Sequence, residues 1–564
     1  MKTIAHWLTR YGLQTTPKNQ RLWLLASLVI AILYGILFWR IAFAAPYAIS
    51  DDGRQHLFWM LRYVDPTLFP DDIIADYFQS VAPAGYKALY WSGAQVGVHP
   101  FLLSKLLPPL LGVLGTVYTF YLAIAIIPAP LIAFISTVIL NQSLWMWDEL
   151  ASATPKAFNI LLIVAFLVYV VRQKLIPCAV VMGLQGLFYP QTIFISVVLL
   201  GLRVLWPQPN PQKANARRFL ITGLIIATIV LLPYAFETSP YGPVVNLEQA
   251  RTMVEFQPGS RNAFFYDNPL RYWLFSARSG LLPPVVPVTI CAALLLPVLC
   301  KLRLPLLKTI TSDGAILHQL GLASTIMFLA SHSLLFRLHL PSRYSRHSLK
   351  IIVALASAMV LVSLLDTGLR RLNRSSLWRQ GLSLGLVAIF SVITVGYPTL
   401  LNSFLNVVYV KSDRTALYEY LQQQPDNIRI ASLAKEAENI PSFTGRSVLG
   451  SPCHSLAYHL GYYSHIRPRI LDLMAAQYTP ELTQLKAVIT NYDINFWLID
   501  ENSFNPDNLP RQWIRQFEPE LAAAVAQLQQ QPPALQRLIP GCAVVNDQGK
   551  ILISAACILK HPSI

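Results

Sequence analysis

The sequence predicts a polytopic all-α membrane domain of about eleven transmembrane helices, followed by a C-terminal extracytoplasmic α/β domain. Of the 564 residues, 54% are hydrophobic and 13% are charged, against roughly 25% charged in an average soluble domain. The apolar residues form runs of roughly 20, the length that crosses a hydrocarbon core as a helix. The net charge is +16, but the basic residues lie in short clusters between apolar runs. This distribution is typical of membrane proteins and argues against nucleic-acid binding.

The apolar runs give the predicted spans and the domain limits. The spans lie at about 22–44, 99–124, 129–147, 157–171, 175–189, 191–206, 218–236, 282–300, 316–336, 347–365 and 380–399. Residues 1–21 form a cytoplasmic N-terminus, and residues 22–404 form the transmembrane domain with outer loops 45–98 and 237–281. Residues 405–564 form the extracytoplasmic α/β domain.

The short basic loops predict the orientation, because Lys and Arg concentrate on the cytoplasmic side. Basic residues precede the first span, so we expect a cytoplasmic N-terminus. With eleven spans the other basic clusters fall on that side too. The residues are Lys2, Arg10, Lys18, Arg21, Arg172, Lys174, Arg203, Lys213, Arg217, Arg218, Lys301, Arg303, Lys308, Arg370, Arg371, Arg374 and Arg379.

An acidic pair, Asp51-Asp52, directly follows the first span and precedes Arg54 and His56. Adjacent carboxylates above a membrane core repel each other and are partly desolvated, which suits a general base. The pair is equally compatible with a divalent cation such as Mg²⁺ or Mn²⁺. The alternative is helix capping, which explains one of the two residues more easily than both.

Two further acidic pairs lie in the predicted outer loops. Asp71-Asp72 follows Pro70 and precedes an apolar helix start, so capping or a solvated turn is the favoured interpretation. Asp148-Glu149 follows the third span and, like Asp51-Asp52, faces outward. We therefore expect that these two pairs converge on one site.

One loop, 337–347, violates the charge rule, since it is basic and yet falls on the outer side. It contains Arg337, Arg343, Tyr344 and Arg346. An anionic partner at the outer interface, such as the phosphates of a lipid-linked substrate, explains these cations. Interfacial anchoring to lipid headgroups explains them as well.

This arrangement resembles the GT-C superfamily of integral membrane glycosyltransferases, which use polyprenyl-phosphate-linked sugar donors. The resemblance rests on Asp51-Asp52, on the outer basic cluster and on the tail. It implies that Asp51 or Asp52 is the catalytic base and that the cluster holds the departing phosphate. The implied substrate-binding residues are Arg54, His56, Asp148, Glu149, Arg337, Arg343, Tyr344 and Arg346.

The predicted function is sugar transfer at the outer face of a bacterial cytoplasmic (inner) membrane, with a metal neither required nor excluded. The acceptor and the sugar are not specified by the sequence. The alternative is a polytopic transporter or flippase of a lipid-linked or anionic substrate. A transporter predicts matching broken spans in two halves of the chain, and no such symmetry is visible in the sequence.

The tail predicts strands at 428–433 and 495–500, helices at 413–423, 481–490, 506–517 and 520–531, and a hairpin around Gly549. The histidines near Cys453 (His454, His459 and His465) predict a solvated or substrate-facing segment rather than a metal site. Among Cys453, Cys542 and Cys557 one disulfide is allowed, and the sequence does not choose the pair.

Overall fold

The computed structural model describes residues 4–207, 210–236, 239–372, 377–401, 404–405 and 407–562. Lys2 and Arg374, used above for the orientation, lie outside the described residues, as does the beginning of loop 237–281. The helices of the first 400 residues are long and apolar. They are Pro17–Ala42, Pro100–Ile126, Pro130–Trp145, Asn159–Val171, Leu175–Phe188, Gln191–Leu205, Asn210–Phe236, Ala315–Ser333, Ser342–Leu372 and Leu377–Thr394.

Within the described part of the chain, five helices are long and apolar enough to cross a membrane, and shorter apolar helices accompany them. Pro17–Ala42 shows what surrounds them: Leu25, Val29 and Ile32 are large apolar side chains about half exposed or more. A soluble protein rarely exposes such a continuous apolar face, whereas lipid covers it at no cost. The chain is therefore a multi-pass membrane protein, and the count of about eleven spans stays a prediction.

The predicted span at 282–300 is not one helix, and that prediction was wrong. Residues 282–287 are irregular, and a 3-10 helix Val288–Leu295 leads into the short helix Leu296–Lys301. Pro283, Pro284 and Pro287 explain the interruption, because each removes a backbone donor. A neighbouring helix supplies hydrogen bonds to this interrupted backbone, because Ser357 Oγ accepts from Ala293 N and donates to Ile290 O.

Helix Ser342–Leu372 lies at the centre of the membrane domain. It packs against Pro130–Trp145, Val288–Leu295 and Ala315–Ser333. In its most apolar stretch of 18 residues, 72% of the residues are buried. Because packing fixes this helix on most sides, the polar residues of its first turns are held in place. The basic cluster of the sequence lies in those first turns.

The outer loops contain short helices and one small sheet. Strand β1 (Tyr47–Ser50) pairs antiparallel with β2 (Tyr409–Ser412), so the end of the first helix meets the start of the tail. The short helices that follow are Gly53–His56, Phe58–Tyr63, Ile73–Val81, Ala84–Gln95, Asp148–Ala151, Pro155–Phe158 and Leu247–Thr252.

The tail forms a five-stranded sheet in the order β4-β3-β5-β7-β6. Strand β3 is parallel to β4 and β5, whereas β7 is antiparallel to β5 and β6. The strands are β3 Arg429–Ser432, β4 Ser447–Val448, β5 Phe496–Asp500, β6 Ala543–Asp547 and β7 Lys550–Ser554. The helices around them are Thr415–Gln422, Ile440–Thr444, Leu460–Tyr478, Leu482–Asn491, Glu518–Gln530, Ala534–Cys542 and Ala555–Lys560.

Most predicted elements of the tail are present, and the hairpin turns at Gln548-Gly549, both with positive φ as a tight hairpin requires. The predicted helix 506–517 is instead two 3-10 segments, Pro506–Arg511 and Trp513–Gln516, separated by Gln512 with an extended backbone. The disulfide joins Cys542 and Cys557.

The predicted solvated histidine segment is exposed only at His465, whereas His459 is half-buried and His454 is buried. His454 is fully buried, with its ring nitrogens paired to Ser451 Oγ and Arg54 O. His459 Nδ1 lies 2.9 Å from Tyr77 OH. The aromatic side chains of the first outer loop cover both rings, and a sequence separation of nearly 400 residues hides that cover from a local pattern.

Candidate active site

The acidic pair lies immediately after β1, on a turn fixed by backbone and side-chain hydrogen bonds. Asp51 N–H donates to Val408 O at 2.9 Å, which continues the β1–β2 ladder by one residue. Ser50 Oγ accepts from Gly53 N at 3.1 Å and so satisfies the start of helix Gly53–His56. Asp52 makes no capping hydrogen bond. The capping alternative therefore does not account for Asp52, and its carboxylate is free for another role.

The two carboxylates of the pair point to different partners. Asp51 forms an ion pair with Arg54, and Asp52 forms one with Lys156. The Asp52 side chain keeps 34% of its surface exposed, so it is accessible from solution although protein surrounds it. Of the two candidate bases, Asp52 is the one that faces the neighbouring polar cluster.

Asp52 and Asp148, from two different loops, meet at Lys156. The Lys156 ammonium contacts Asp52 and lies 3.5 Å from Asp148 Oδ2. The structure thus brings the two predicted acidic pairs together, as the sequence led us to expect. Lys156 lies on the 3-10 turn Pro155–Phe158, directly before the fourth apolar run.

The two carboxyl groups at Lys156 have opposite pKa shifts. Burial alone raises the pKa of Asp52, but Lys156 and, more weakly, Arg343 outweigh it and hold the pKa well below its ordinary value. Burial raises the pKa of Asp148 to about 8, and the charge of Asp52 adds to that shift. At neutral pH the site therefore holds one carboxylate and one carboxylic acid. Neighbouring acids with pKa values pushed apart are typical of catalytic sites.

The C-terminal part of the predicted basic loop begins helix Ser342–Leu372, and its basic residues form one face of that helix. Arg343, Arg346, His347 and Lys350 are spaced by three or four residues, which places them on the same side of a helix. Lys350 forms an ion pair with Glu149, and His347 Nε2 lies 4.0 Å from the same carboxylate. The Lys350 ammonium holds the pKa of Glu149 well below its ordinary value although burial opposes this.

Several nitrogens of this face are buried without a hydrogen-bond partner among the described residues. They are Arg343 Nε, Arg346 Nε and both ring nitrogens of His347. A buried donor left unpaired is costly, and the arginine Nε–H donors on this face point to an anionic ligand that accepts from them. Arg346 is partly engaged, since it donates to Ala277 O at 3.2 Å.

The remaining predicted site residues occupy other positions. Arg54 is buried between the first loop and the tail, where it binds Glu438 as well as Asp51. Tyr344 is buried and donates to Leu338 O at 2.8 Å, which fixes the preceding loop. Arg337 is exposed, and in the described part of the chain no ion pair joins it to the acidic residues.

His56 lies at the rim of the acidic cluster. Its ring contacts Phe78 edge-on at 6.3 Å between centroids. Burial lowers the pKa of His56 to about 4, although the charge of Asp52 opposes the shift. His56 is therefore neutral at pH 7 and adds no charge to the site.

Three residues of the site escaped the sequence-based selection. Lys350 had a usable signal, because a lysine inside an apolar span is rarely accidental. Lys156 lies seven residues after Glu149 of the selected acidic pair, but nothing local indicates its contact with Asp52. Glu438 has no signal, since its partner Arg54 is almost 400 residues away in the sequence.

Comparison with known proteins gives the fold. No family model and no curated protein matches the sequence. Solved structures of the Archaeoglobus fulgidus oligosaccharyltransferase match over most of the chain. The apo form has 12% identity and a TM-score of 0.55, covering 89% of this chain and 72% of that one. The form tethered to an acceptor peptide containing the NVT sequon has 13% identity and a TM-score of 0.56, covering 92% and 72%.

The archaeal oligosaccharyltransferase AglB from the same organism, in complex with an inhibitory peptide and a dolichol-phosphate, has 12% identity and a TM-score of 0.56. The alignment covers 92% of this chain and 72% of that one. At such identity the likeness concerns the fold and leaves the activity open. The predicted resemblance is confirmed at the level of the fold: the chain has the fold of the archaeal oligosaccharyltransferase.

Proposed function

We propose that the protein transfers a sugar from a polyprenyl-phosphate donor to an acceptor on the outer side of a bacterial cytoplasmic membrane. The observation that carries the proposal is the juxtaposition of Asp52 with a basic helix face. That face holds buried nitrogens of Arg343, Arg346 and His347 for which the described residues offer no hydrogen-bond acceptor or donor. An ionised carboxylate beside cationic side chains that can bind an anion suits a reaction in which a phosphate leaves.

The charges of the site favour an anionic donor. Lys156, Arg343, Arg346 and Lys350 are cations, whereas Asp52 and Glu149 are the carboxylates whose pKa values are held low. Asp148 is largely neutral at pH 7 because its pKa is raised to about 8. The surplus of about two positive charges exceeds the single charge of a phosphodiester donor and is of the size of the charge on the phosphate monoester that leaves.

A lipid-linked donor is supported by the fold and by the location of the cluster. The arginines lie at the outer end of a helix that is apolar for most of its length. A polyprenyl chain can lie along the membrane while its phosphate reaches that end. The similar archaeal structure is a complex with a dolichol-phosphate, a molecule of the same chemical class.

In the proposed reaction an acceptor hydroxyl attacks the anomeric carbon of the sugar, and Asp52 accepts the hydroxyl proton. The bond between the anomeric carbon and the phosphate oxygen breaks, and its electron pair stays on the phosphate. Arg343 and Arg346 stabilise the charge that grows on the leaving phosphate. Fixed donors aimed at developing charge are among the largest contributions to catalysis. Asp51, turned toward Arg54, positions the turn.

The outer location of the site follows from the predicted topology and is supported by the disulfide. Cys542 and Cys557 are bonded in the tail, and disulfides persist in oxidising compartments rather than in the cytosol. With the N-terminus in the cytoplasm, an odd number of spans places loop 45–98 and residues 405–564 outside. The acidic pair and the tail then share one compartment, as their contacts require.

The decisive experiment measures glycosyl transfer from a panel of polyprenyl-phosphate sugars to membrane extracts. Wild type is compared with Asp52→Asn and with the matched control Asp71→Asn. Asp71 is an exposed residue of the same loop with φ 51°, a backbone conformation that Asn adopts readily. Loss of transfer in Asp52→Asn alone supports the proposal. Transfer that Asp52→Asn leaves intact removes Asp52 from the mechanism, and donor movement across vesicles without transfer favours the flippase alternative.

A further inference from the structure

The space between the carboxyl groups of Asp52 and Asp148 is taken by the Lys156 ammonium. Carboxylates from two loops that meet at one point commonly share a divalent cation. Here Lys156 contacts Asp52 and lies 3.5 Å from Asp148 Oδ2. We propose that Lys156 is the resident cation of this site, so that the site operates without a divalent metal ion. The reaction it serves is the one proposed above, but the placement of the charge does not depend on it.

The available ligands fit a metal ion poorly. Mg²⁺ and Mn²⁺ need ionised oxygen ligands in open geometry, whereas Asp52 is already paired and Asp148 is 12% exposed. An ion placed between them would lie within about 4 Å of the ammonium, and like charges at that distance repel strongly in a protein interior. The residues present therefore favour the lysine over the metal.

Within the described structure, the Lys156 ammonium has no better position than the one between Asp52 and Asp148. Its side chain is 15% exposed, so it cannot reach bulk water without leaving its turn. Glu149, a nearby carboxylate, is engaged by Lys350. Beneath the ammonium lies a small cavity that Lys156 and Glu149 share with apolar side chains, among them Leu111, Leu144 and Ile160. Moving into that cavity would bury the charge away from Asp52 and Asp148, and Glu149 at its edge is already paired with Lys350, so the position between the two carboxyl groups is favoured.

The ammonium can perform the tasks of a metal ion at this position. It keeps Asp52 ionised, as the lowered pKa of Asp52 indicates. An ammonium has three donors, and the two carboxyl groups occupy two of them. The third N–H is available to an oxygen of a bound donor or acceptor. Lys156 thus supplies a fixed positive charge that a chelator cannot remove.

The test is Mn²⁺ binding to the purified full-length protein in lipid nanodiscs, measured by electron paramagnetic resonance. The variants are Lys156→Met, Asp52→Asn, the two changes combined, and the control Lys550→Met. Lys550 forms an ion pair with Asp500 in the tail with nearly the same exposures, 16% and 33%, as the Lys156–Asp52 pair. The control therefore removes an equivalent ion pair outside the site.

We expect no Mn²⁺ bound at Asp52 in wild type. Lys156→Met should bind Mn²⁺ at least about tenfold more tightly than wild type, because the repelling charge is gone. Asp52→Asn should abolish that gain, and Lys550→Met should behave as wild type. Stoichiometric Mn²⁺ in wild type that Asp52→Asn removes would overturn the proposal. If Lys156→Met does not fold, the comparison of wild type with Asp52→Asn still decides.

Chelation separates this inference from the proposed function. Transfer that continues in EDTA supports Lys156 as the cation, whereas transfer that stops in EDTA and returns with Mn²⁺ contradicts it. If no donor is used at all, the proposed function fails while the Mn²⁺ measurement still decides the role of Lys156.

Discussion

The guanidinium of Arg54 donates a 2.9 Å hydrogen bond to Asn439, which lies 385 residues further along the chain. The same guanidinium lies 2.7 Å from Glu438, and both side chains are almost completely buried. Because Arg54 also pairs with Asp51, the acidic motif is oriented from the tail. The tail is therefore part of the construction of the site and not an appendage to the membrane domain.

Replacing Arg54 by Met should destabilise the protein strongly. The change leaves Glu438 buried without its partner, which costs about 3–5 kcal/mol in comparable sites. We expect a lower midpoint of thermal unfolding in detergent and reduced transfer, because Asp51 loses its anchor as well. The double variant with Glu438→Gln should recover part of the stability, since no unpaired charge remains.

The matched control is Arg429→Met, which removes a pair with Asp493 on the surface. Arg429 and Asp493 are 36% and 84% exposed, and exposed pairs contribute about 0–1 kcal/mol. An equal loss of stability in both single variants would show that the buried Arg54–Glu438 pair contributes no more to stability than an exposed ion pair.

Replacing Arg343 by Gln should lower kcat while leaving the protein folded. Its charge interacts with that of Asp52, and its Nε has no hydrogen-bond partner among the described residues. Removing one donor from developing charge typically lowers kcat by about 100-fold or more. Arg337→Gln, at an exposed position of the same basic loop, should change kcat by less than about twofold, in line with a surface substitution. Equal effects of the two changes in a transfer assay would mean that the cluster acts by its total charge alone.

The long apolar runs predicted the membrane helices because a span is a local property of the sequence. The run at 282–300 misled the prediction, since its hydropathy resembles a span while Pro283, Pro284 and Pro287 prevent a continuous helix. Its backbone is satisfied by Ser357 of another helix. These hydrogen bonds are tertiary contacts, and a local pattern of hydropathy does not predict them.

The convergence of the acidic pairs was predictable because both follow apolar runs that the predicted topology ends at the same membrane face. The identity of their shared partner was not predictable from the sequence. Lys156 belongs to the same loop as Asp148, but its contact with Asp52 depends on how two helix ends pack. The same holds for Arg54, which local sequence presents as a substrate ligand and the fold uses as a link to Glu438.

The stability of wild type relative to Asp148→Asn should fall as the pH rises from about 5 to about 8. Burial raises the pKa of Asp148 from its ordinary 3.8 to about 8. Between these pH values Asp148 has released its proton in the unfolded chain and still holds it in the folded protein. The free energy of unfolding therefore falls by at most about 1.4 kcal/mol per pH unit.

Thermal unfolding of both proteins across a pH series checks this trend. His56, whose pKa burial lowers to about 4, titrates over part of the same range but does so in both proteins, and its effect cancels in the difference. Asp52 is ionised throughout, because its pKa lies below the window in both states. A difference that is constant with pH would show that Asp148 is ionised in the folded protein.

The thiol count of the protein from intact cells should reveal the compartment of the tail. Cys542 and Cys557 are bonded, whereas Cys178, Cys291, Cys300 and Cys453 are free. In denaturant, a maleimide–polyethylene glycol reagent should therefore add to four thiols before reduction and to six after it. Replacing both bonded cysteines by Ser should lower the free energy of unfolding by about 3 kcal/mol, the value expected for a loop of about 15 residues. Cys453→Ser should lower the first count by one and leave the difference between the counts at two. Six reactive thiols before reduction, with the protein kept from air by rapid alkylation, would place residues 405–564 in a reducing compartment and reverse the proposed topology.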